Sequence, residues 1–594
     1  MFVKNNNLSS LIFAIVIFII AFCFRTYNPN WDSGYHLHPD ERFLTMVIND
    51  IKLPQNIFAY FDTHNSPLNP YNYEQYYFFV YGTFPIFSAK YISHPIGYDT
   101  YDKFLFFGRQ YSAFFDSLNI IILFYLSKLL FPKAKDMRTN ILRFNLAGIL
   151  YGFTVLPFQL SHFFTVDTFL CFFLLFTFYT LFLWIKYNKN YYLVISGVLY
   201  GLAFSSKISA ILFSPIILLI FIYYYFYVQK SFSLIVKILT FSLVVLLIFR
   251  IFQPYAFTGI FTINPQFTSS LTQLNGILNN RDPYYPPEIQ YLNKTPIIYP
   301  LKTLVIWGFG IPISILLTIY PFIYLLKNKK ISSIFLKLTI SKFIIINSIF
   351  WVAFLIIYQG LQFTNTVRYF LSIYPFLCLL AACIIFSNLI PKIVGLLLLA
   401  LHFLYFFAFL NIYTNPHSRI LASQWIYNNI PISSNITNEY WDDPLPLDFP
   451  NNLSSQYRNT MIPFYDPDTT DKWKKIDNIL NNSQYIIMTS NRLWRSISAV
   501  PLRYPTTSQF YNNLFKEKYG PKIIAFNSYP GFQIPTLKSC IYIGKTDYPG
   551  INNDWYKINN NCSNPGIYLR DDTAEESFTV YDHPQIIIFK RQNP

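Results

Sequence analysis

The sequence predicts a mainly α-helical, polytopic membrane protein that carries a C-terminal α/β domain. Three observations predict it. Of 594 residues, 53% are hydrophobic and only 12% are charged, about half the ~25% charged share of an ordinary soluble domain. Apolar runs long enough to span a bilayer recur along the first 413 residues. Beyond about residue 414 such runs stop, and Asn, Asp, Pro and Ser rise. The same figures exclude a water-soluble multidomain enzyme. They also exclude a disordered chain, which would lack this much apolar surface.

The runs fall near 8–24, 110–131, 141–159, 163–184, 191–206, 208–228, 232–250, 303–326, 343–358, 369–389 and 393–413, about eleven helices with 191–206 the shortest. One Lys precedes the first run and no small-residue cleavage site follows it, so it reads as an anchor rather than a cleaved signal. Charge orients the bundle. The chain has net charge +16, and 28 basic and 13 acidic residues precede about Asn415 against 17 and 16 after it. The excess therefore belongs to the apolar part and is a topology signal, not a preference for nucleic acid. With the N-terminus inside, the inner loops hold Lys133, Lys135, Arg138, Lys186, Lys189, Lys230, Lys327, Lys329, Lys330 and Lys392, with Asp136 as their single acid. The other acids of this part fall on outer loops or near outer helix ends. An odd helix count then places 414–594 outside. The expected location is a prokaryotic plasma membrane, in keeping with a bias to Asn, Lys, Ile, Phe and Tyr that suits an AT-rich genome.

This divides the chain into a transmembrane domain, 1–413, and an extracytoplasmic α/β domain, 414–594. Two outer loops are long, 25–108 and 251–302, and loops of that length are functional or structured. The first is rich in Tyr, Phe and Pro, which suits short amphipathic helices at the membrane surface. In the tail, Gln484–Met488 and Gln585–Phe589 read as strands. The six Cys show no metal spacing. Cys23, Cys171, Cys378 and Cys383 lie in apolar stretches, as core or lipid-facing thiols. Cys540 and Cys562 can pair if the tail is extracytoplasmic.

The densest polar cluster follows the first helix: Asp32, His36, His38, Asp40, Glu41 and Arg42. One reading is a solvated loop whose acids cap a helix after Pro39. The other is a carboxylate at the membrane surface serving as general base to a hydroxyl. Metal binding by Asp32, His36 and His38 is a weak signal. A second candidate is the stretch from Gln159 through His162 to Asp167, at the outer turn between the third and fourth helices. Asp167 lies about one turn inside a helix, a costly place unless it faces a cavity, though it also suits the helix dipole. Three cations, Arg109, Lys207 and Arg368, sit at outer helix ends, where they either snorkel or hold a lipid phosphate. Gln253, Tyr255, Glu288 and Gln290 combine aromatic and polar groups on the second outer loop. They read as sugar or acceptor contacts or as an interfacial aromatic belt.

Four stretches together resemble the membrane glycosyltransferase superfamily of the C type, in its protein O-mannosyltransferase and aminoarabinose-transferase branch. They are His38-Pro-Asp-Glu41 after helix one; Gly108-Arg-Gln-Tyr-Ser-Ala113; Ser161-His162 through Asp167 with Gly201-Leu-Ala-Phe-Ser-Ser-Lys207; and Val367-Arg-Tyr-Phe-Leu-Ser-Ile-Tyr-Pro375. The resemblance covers about 1–413. The tail stretches His417–Tyr427, Glu439–Asp443 and Ala574–Pro584 are similar to outer domains of a bacterial subgroup and imply no substrate.

The resemblance implies transfer of a sugar from a polyprenyl-phosphate carrier to a lipid, glycan or protein hydroxyl on the outer face, by inverting displacement. It implies Asp40 as base with Glu41 beside it, His162 and Asp167 in support, and Lys207, Arg368 and Arg109 on the phosphate. No cofactor is expected. An oligosaccharyltransferase-like branch that uses a divalent ion keeps metal at Asp32, His36 and His38 as the lesser alternative. Competing classes are a transporter or flippase, which predicts charges at mid-membrane, a glycan polymerase or ligase, and a membrane-anchored binding domain. The enzyme reading requires Asp40, Asp167 and Lys207 to converge on one outward-opening cavity beneath the first long loop.

Overall fold

The structure is a computed structural model describing residues 2–327, 338–387, 389–546, 548–550 and 564–592. Every predicted apolar run holds a helix. Among the described residues, eight helices are long and apolar enough to cross a membrane. A ninth candidate is the pair Met137–Gly152 and Val155–Ser161, bent by 58°. Asn190–Ser206 and Ile311–Lys327 fill the two remaining runs and are shorter. The chain is thus a multi-pass membrane protein. Apolar residues all round a helix leave packing to decide its place. Val166–Tyr187 is 83% buried and central, whereas Ser233–Phe252 is 6% buried and lies at the periphery. That outer helix packs on Asn190–Ser206 through small residues. A Cβ on Gly201 would lie 2.6 Å from Ile248.

Besides the bent pair, three runs depart from the expected helices in ways that bear on the site. The second begins at Tyr101 rather than near 110, with Asp102 in its first turn, so the first outer loop ends sooner. The runs after Lys207 and around Arg368 start as 3₁₀ turns, Ile208–Phe213 and Val367–Ile373. Pro215 and Pro375 explain both. Proline fits the first turn of an α-helix but not its interior, so the α-helices begin at Ser214 and Tyr374 and the preceding turn tightens.

The first outer loop folds into the helices Pro39–Asp50, Ile57–Phe61 and Thr83–Ser93. Lys90 anchors it, donating to the Ile48 carbonyl at 2.7 Å and pairing with Asp99 at 2.8 Å.

Among the described residues the tail holds eight strands: β1 Asn435–Glu439, β2 Arg458–Ile462, β3 Tyr485–Met488, β4 Lys522–Phe526, β5 Gly531–Gln533, β6 Cys540–Ile543, β7 Gly566–Leu569 and β8 Ile586–Lys590. The main sheet has the order β2-β1-β3-β8-β4; β1 is parallel to β2 and β3, and β8 is antiparallel to β3 and β4. The two strands read from the sequence are the neighbours β3 and β8. Their alternation sets the layers, because successive strand residues face opposite sides. Tyr485, Ile487, Ile586 and Ile588 join the core that continues from the membrane helices through Phe409 and Tyr413. Ile486, Met488, Ile587 and Phe589 join a second core around Trp494 and Phe510. The sheet is therefore sandwiched, with one face set on the membrane bundle. Cys171 and Cys378 are buried and Cys23 is exposed. Cys562, the candidate partner of Cys540, lies outside the described residues.

Candidate active site

The acidic motif is split by a helix start. Pro39 opens Pro39–Asp50, and the His38 ring caps it, its Nδ1 accepting the Glu41 N–H at 3.3 Å. Consecutive residues of a helix point about 100° apart. Here Glu41 turns inward and is fully buried, while the Asp40 side chain stays 22% exposed.

Glu41 meets Arg109, the cation that the resemblance assigns to the phosphate. Every Arg109 donor is occupied. Nε reaches the two Glu41 oxygens at 3.0 and 3.1 Å. Nη1 donates to Asp32 at 3.0 Å and to the Pro29 carbonyl at 2.7 Å, and Nη2 to Asp32 at 2.9 Å and Glu41 at 2.6 Å. The guanidinium also lies 4.6 Å from the Trp31 ring centre. Glu41 further accepts the Phe164 N–H at 2.8 Å. Burial pushes the Glu41 carboxyl up against the pull of Arg109, whereas at Asp32 the Arg109 charge overcomes burial and holds the carboxyl below its usual value. Arg109, Glu41 and Asp32 thus form a closed rivet joining the first outer loop to the helix Tyr101–Leu130. Arg109 has no donor left over for a phosphate in this arrangement, and Glu41 turns away from the Asp40–Arg368 pair.

The three suggested metal ligands are likewise apart. Asp32 is spent on Arg109. His36 stacks on Tyr101 at 3.9 Å, and His38 sits between Phe163 and Tyr581 at 4.4 and 4.2 Å. Burial lowers both imidazoles, His36 to about 4. Among the described residues no group of three or more His, Cys, Asp or Glu side chains is placed to hold a metal.

Asp40, Arg368, Lys207 and Asp167 do come together. Arg368 pairs with Asp40, which also accepts the Tyr81 hydroxyl at 2.8 Å. Lys207 pairs with Asp167 at 2.7 Å. Tyr369 links the pairs, its ring centre 4.6 Å from Lys207 Nζ and 5.6 Å from the Arg368 guanidinium. Both cations stand at the 3₁₀ entries described above, which is how two distant turns present their charges at one level. The first loop lies directly on the Lys207 turn. A Cβ on Gly82 would fall 2.3 Å from the Ser205 and Ser206 backbone, and Tyr81 follows from that contact. Lys207 and Arg368 are each 23% exposed, so the paired charges remain reachable.

The other predicted residues hold the site's walls. His162 is buried, with Nδ1 2.9 Å from the Phe158 carbonyl and its ring stacked on Tyr413 at 4.1 Å. Gln253 accepts from the Thr83 N–H and hydroxyl at 2.7 and 2.8 Å, and Tyr255 meets Ser66 at 2.7 Å, so both tie the two outer loops together. Glu288 accepts from Thr364 at 3.2 Å, and burial pushes its carboxyl up to about 7. Gln290 donates to Glu575 at 3.0 Å and accepts the Glu576 N–H at 3.1 Å.

Sequence reading missed the tail's part in this region. The segment 574–584 inserts against the membrane helices. Glu575 accepts from Tyr291 at 2.9 Å and from Thr366 at 3.3 Å, one turn from Arg368. Asp582 accepts from Tyr413 at 2.6 Å and Gln159 at 2.9 Å. Arg492, buried, pairs with Glu576 at 2.7 Å. Asp443 forms a two-pronged pair with Arg42, beside Asp40, at 2.9 and 2.7 Å. The signal was present in the motifs Trp441-Asp-Asp443 and Ala574–Pro584, but nothing in sequence spacing links them to residues 40 and 368.

Residues 106–255, about a quarter of the chain, match the family described as dolichyl-phosphate-mannose-protein mannosyltransferase. Over that segment the chain resembles this family. The matched segment contains Arg109, Asp167 and Lys207 but neither Asp40 nor Arg368. No curated protein matches the sequence. Among solved structures, the chain is similar to the oligosaccharyltransferase of Archaeoglobus fulgidus in the apo form, with TM-score 0.45 and 13% identity over 87% of this chain and 73% of that one. The same archaeon's AglB, in complex with an inhibitory peptide and a dolichol-phosphate, gives 0.44 and 13% over 88% and 73%. ArnT from Cupriavidus metallidurans bound to undecaprenyl phosphate gives 0.41 and 12% over 82% and 94%.

Proposed function

We propose that this protein is a glycosyltransferase that moves a sugar from a polyprenyl monophosphate to an acceptor hydroxyl at the outer membrane face, with inversion. One observation carries the reading: two carboxylate–cation pairs, Asp40 with Arg368 and Lys207 with Asp167, meet at Tyr369 and remain partly open. The acceptor oxygen attacks the anomeric carbon, and its proton passes to Asp40. The bond from that carbon to the phosphate oxygen breaks, and the electron pair leaves on the phosphate. Lys207 and Arg368 neutralise the charge that develops there.

The ion pairs give the site an order of events. A phosphate that draws Arg368 to itself releases the Asp40 oxygen that Arg368 occupies, so donor binding frees the base. Tyr81 keeps the other Asp40 oxygen in place. In this reading Asp167 and His162 are positioning residues, through Lys207 and Tyr413 respectively. The two cations supply the charge neutralisation, so the reaction needs no divalent ion and survives chelation. The proposed location is a prokaryotic plasma membrane with 414–594 outside, which sets the tail on the same face as Asp40 and Arg368.

The test is sugar transfer from synthetic polyprenyl-phosphate sugars by the full chain in reconstituted membranes. Asp40→Asn keeps the side-chain shape and removes the base. Transfer should fall by about 10²–10⁴, the usual contribution of a positioned base, with donor binding retained. Full transfer by Asp40→Asn would overturn the assignment.

A further inference from the structure

Two exposed apolar tips stand side by side at one end of the peripheral helix Ser233–Phe252. One is the first turn of the helix Ile57–Phe61, where Ile57 and Phe58 are exposed, Phe58 to 84%. The other is a hairpin of the second outer loop. Phe257 and Ile263 bridge its arms, and the Thr258 N–H donates to the Thr262 carbonyl at 3.0 Å. That turn leaves Ile260 and Phe261 at its tip, with Phe261 90% exposed. The Thr63 hydroxyl joins the two elements, donating to the Phe257 carbonyl at 2.5 Å. Single exposed apolar side chains are ordinary, but a cluster of them marks an interaction surface.

The position of the cluster identifies what covers it. The Tyr60 hydroxyl donates to the Ile251 carbonyl at 2.7 Å, so the short helix lies against the last turn of Ser233–Phe252. Arg250 of that turn donates to the Pro254 carbonyl at 3.3 Å and to the Gly259 carbonyl at 3.2 Å. The hairpin therefore folds back beside the helix end instead of projecting from it. On the helix itself Leu243, Leu246, Leu247 and Ile251 are exposed, and in a candidate span that is only 6% buried they face lipid. The two tips continue this lipid-facing surface past the end of the span. The geometry points to a membrane-inserted lip: Ile57, Phe58, Ile260 and Phe261 enter the lipid leaflet on the tail's side, at the boundary between headgroups and acyl chains. Arg250 fits that level. It is half-buried, its guanidinium lies 5.0 and 5.2 Å from the Phe61 and Phe257 ring centres, and its hydrogen bonds go to carbonyls. Its charge is thus left to face lipid phosphates, which guanidinium groups suit.

The lip is independent of the transfer reading, but it bears on the same loop. Gln253, directly after the helix, accepts from the Thr83 N–H, and the neighbouring Gly82 rests on the turn before Lys207. A lip held in the leaflet gives the first outer loop a second support beside that contact.

The test uses the full chain in phospholipid nanodiscs and fluorine NMR. Phe58→4-trifluoromethylphenylalanine and Phe261→4-trifluoromethylphenylalanine are made singly. Each keeps an aromatic ring at an exposed position, so neither disturbs the core. The control is the same label at Leu502, wholly exposed on the tail near Tyr504 of the second core. Relaxation is read with a water-soluble gadolinium chelate and, separately, with a nitroxide on the lipid acyl chain close to the headgroup. At 58 and 261 the chelate should act about tenfold less than at 502, as an insertion of about 5–10 Å requires, and the lipid nitroxide should broaden both signals but not that at 502. A label at 58 or 261 that meets the chelate as freely as at 502 would overturn the inference. Protection from the chelate without broadening by the lipid nitroxide would show that a second copy of the chain covers the lip, and would overturn it too.

Discussion

Replacing Arg109 with Met separates a structural rivet from a phosphate ligand. In the structure Arg109 is 2% exposed and faces Asp32 and Glu41, both fully buried. Solvent therefore screens none of the three, and the small values typical of surface pairs do not apply. Arg109→Met leaves two carboxylates buried side by side without a cation. Removing one partner of a buried pair costs about 3–5 kcal/mol, because the remaining charge is uncompensated. Denaturant titration of the detergent-solubilised chain, followed by intrinsic fluorescence, measures the loss. Adding Asp32→Asn and Glu41→Gln removes the stranded charges and should recover most of it, since neutral replacement of a whole buried ion cluster is often close to neutral. Two results would refute the reasoning. One is an Arg109→Met protein within about 1 kcal/mol of the parent, a figure typical of exposed pairs. The other is a triple variant no more stable than the single one. A stable Arg109→Met protein with only a raised donor KM would restore Arg109 to the phosphate.

Lys207→Ala and Arg368→Ala should each raise the donor KM by about ten- to a hundredfold, matching the 1.5–3 kcal/mol of a charged hydrogen bond, while the fold is kept; an unchanged donor KM counts against their role. Arg368→Lys should recover only part of the loss, since lysine keeps the charge but not the planar fork. The tail's seat on the bundle should weaken in alkali. Burial works against the charged form of His583, but Asp582 and Asp571 push its imidazole up to about 10. The pKa is thus higher folded than unfolded, so its stabilising contribution is complete below the ordinary histidine value and is lost as pH rises through about 10. Limited proteolysis between pH 7 and 10.5 should show the tail becoming sensitive, and His583→Gln should flatten the dependence. Increased resistance at high pH would contradict this.

The bundle was legible because its signal is one-dimensional. Apolar runs and lysine asymmetry are read along the chain, and all eleven runs hold helices. The details that place the paired charges were not all hidden either. Pro215 and Pro375 mark the helix starts that set Lys207 and Arg368 at one level. What failed was the assignment of individual partners. Arg109 and Lys207 look alike in sequence, a cation at an outer helix end. Only the fold shows that one meets two carboxylates with its whole donor set and the other meets one. Asp40 and Glu41 are adjacent, yet a helix start capped by His38 sends them to different surroundings. Tyr81 and Tyr369 were lost among 49 tyrosines, where composition gives no contrast.

The tail shows why a composition boundary need not be a functional one. Chemistry at the outer face needs a wall on the solvent side, and the membrane helices end there with buried polar groups still to satisfy. Gln159 and Tyr413 find Asp582, Gln290 and Tyr291 find Glu575, and Arg42 finds Asp443. In return, β3 and β8 lay one apolar face on the core that begins among the helices. Each side therefore covers groups that the other would leave unpaired, at a cost of about 1–3 kcal/mol for each buried one. A chain with so few charges places many of them at this junction. There they fix the tail against the turns that carry Asp40 and Arg368, so the placing of these two side chains depends on the tail as much as on the helices.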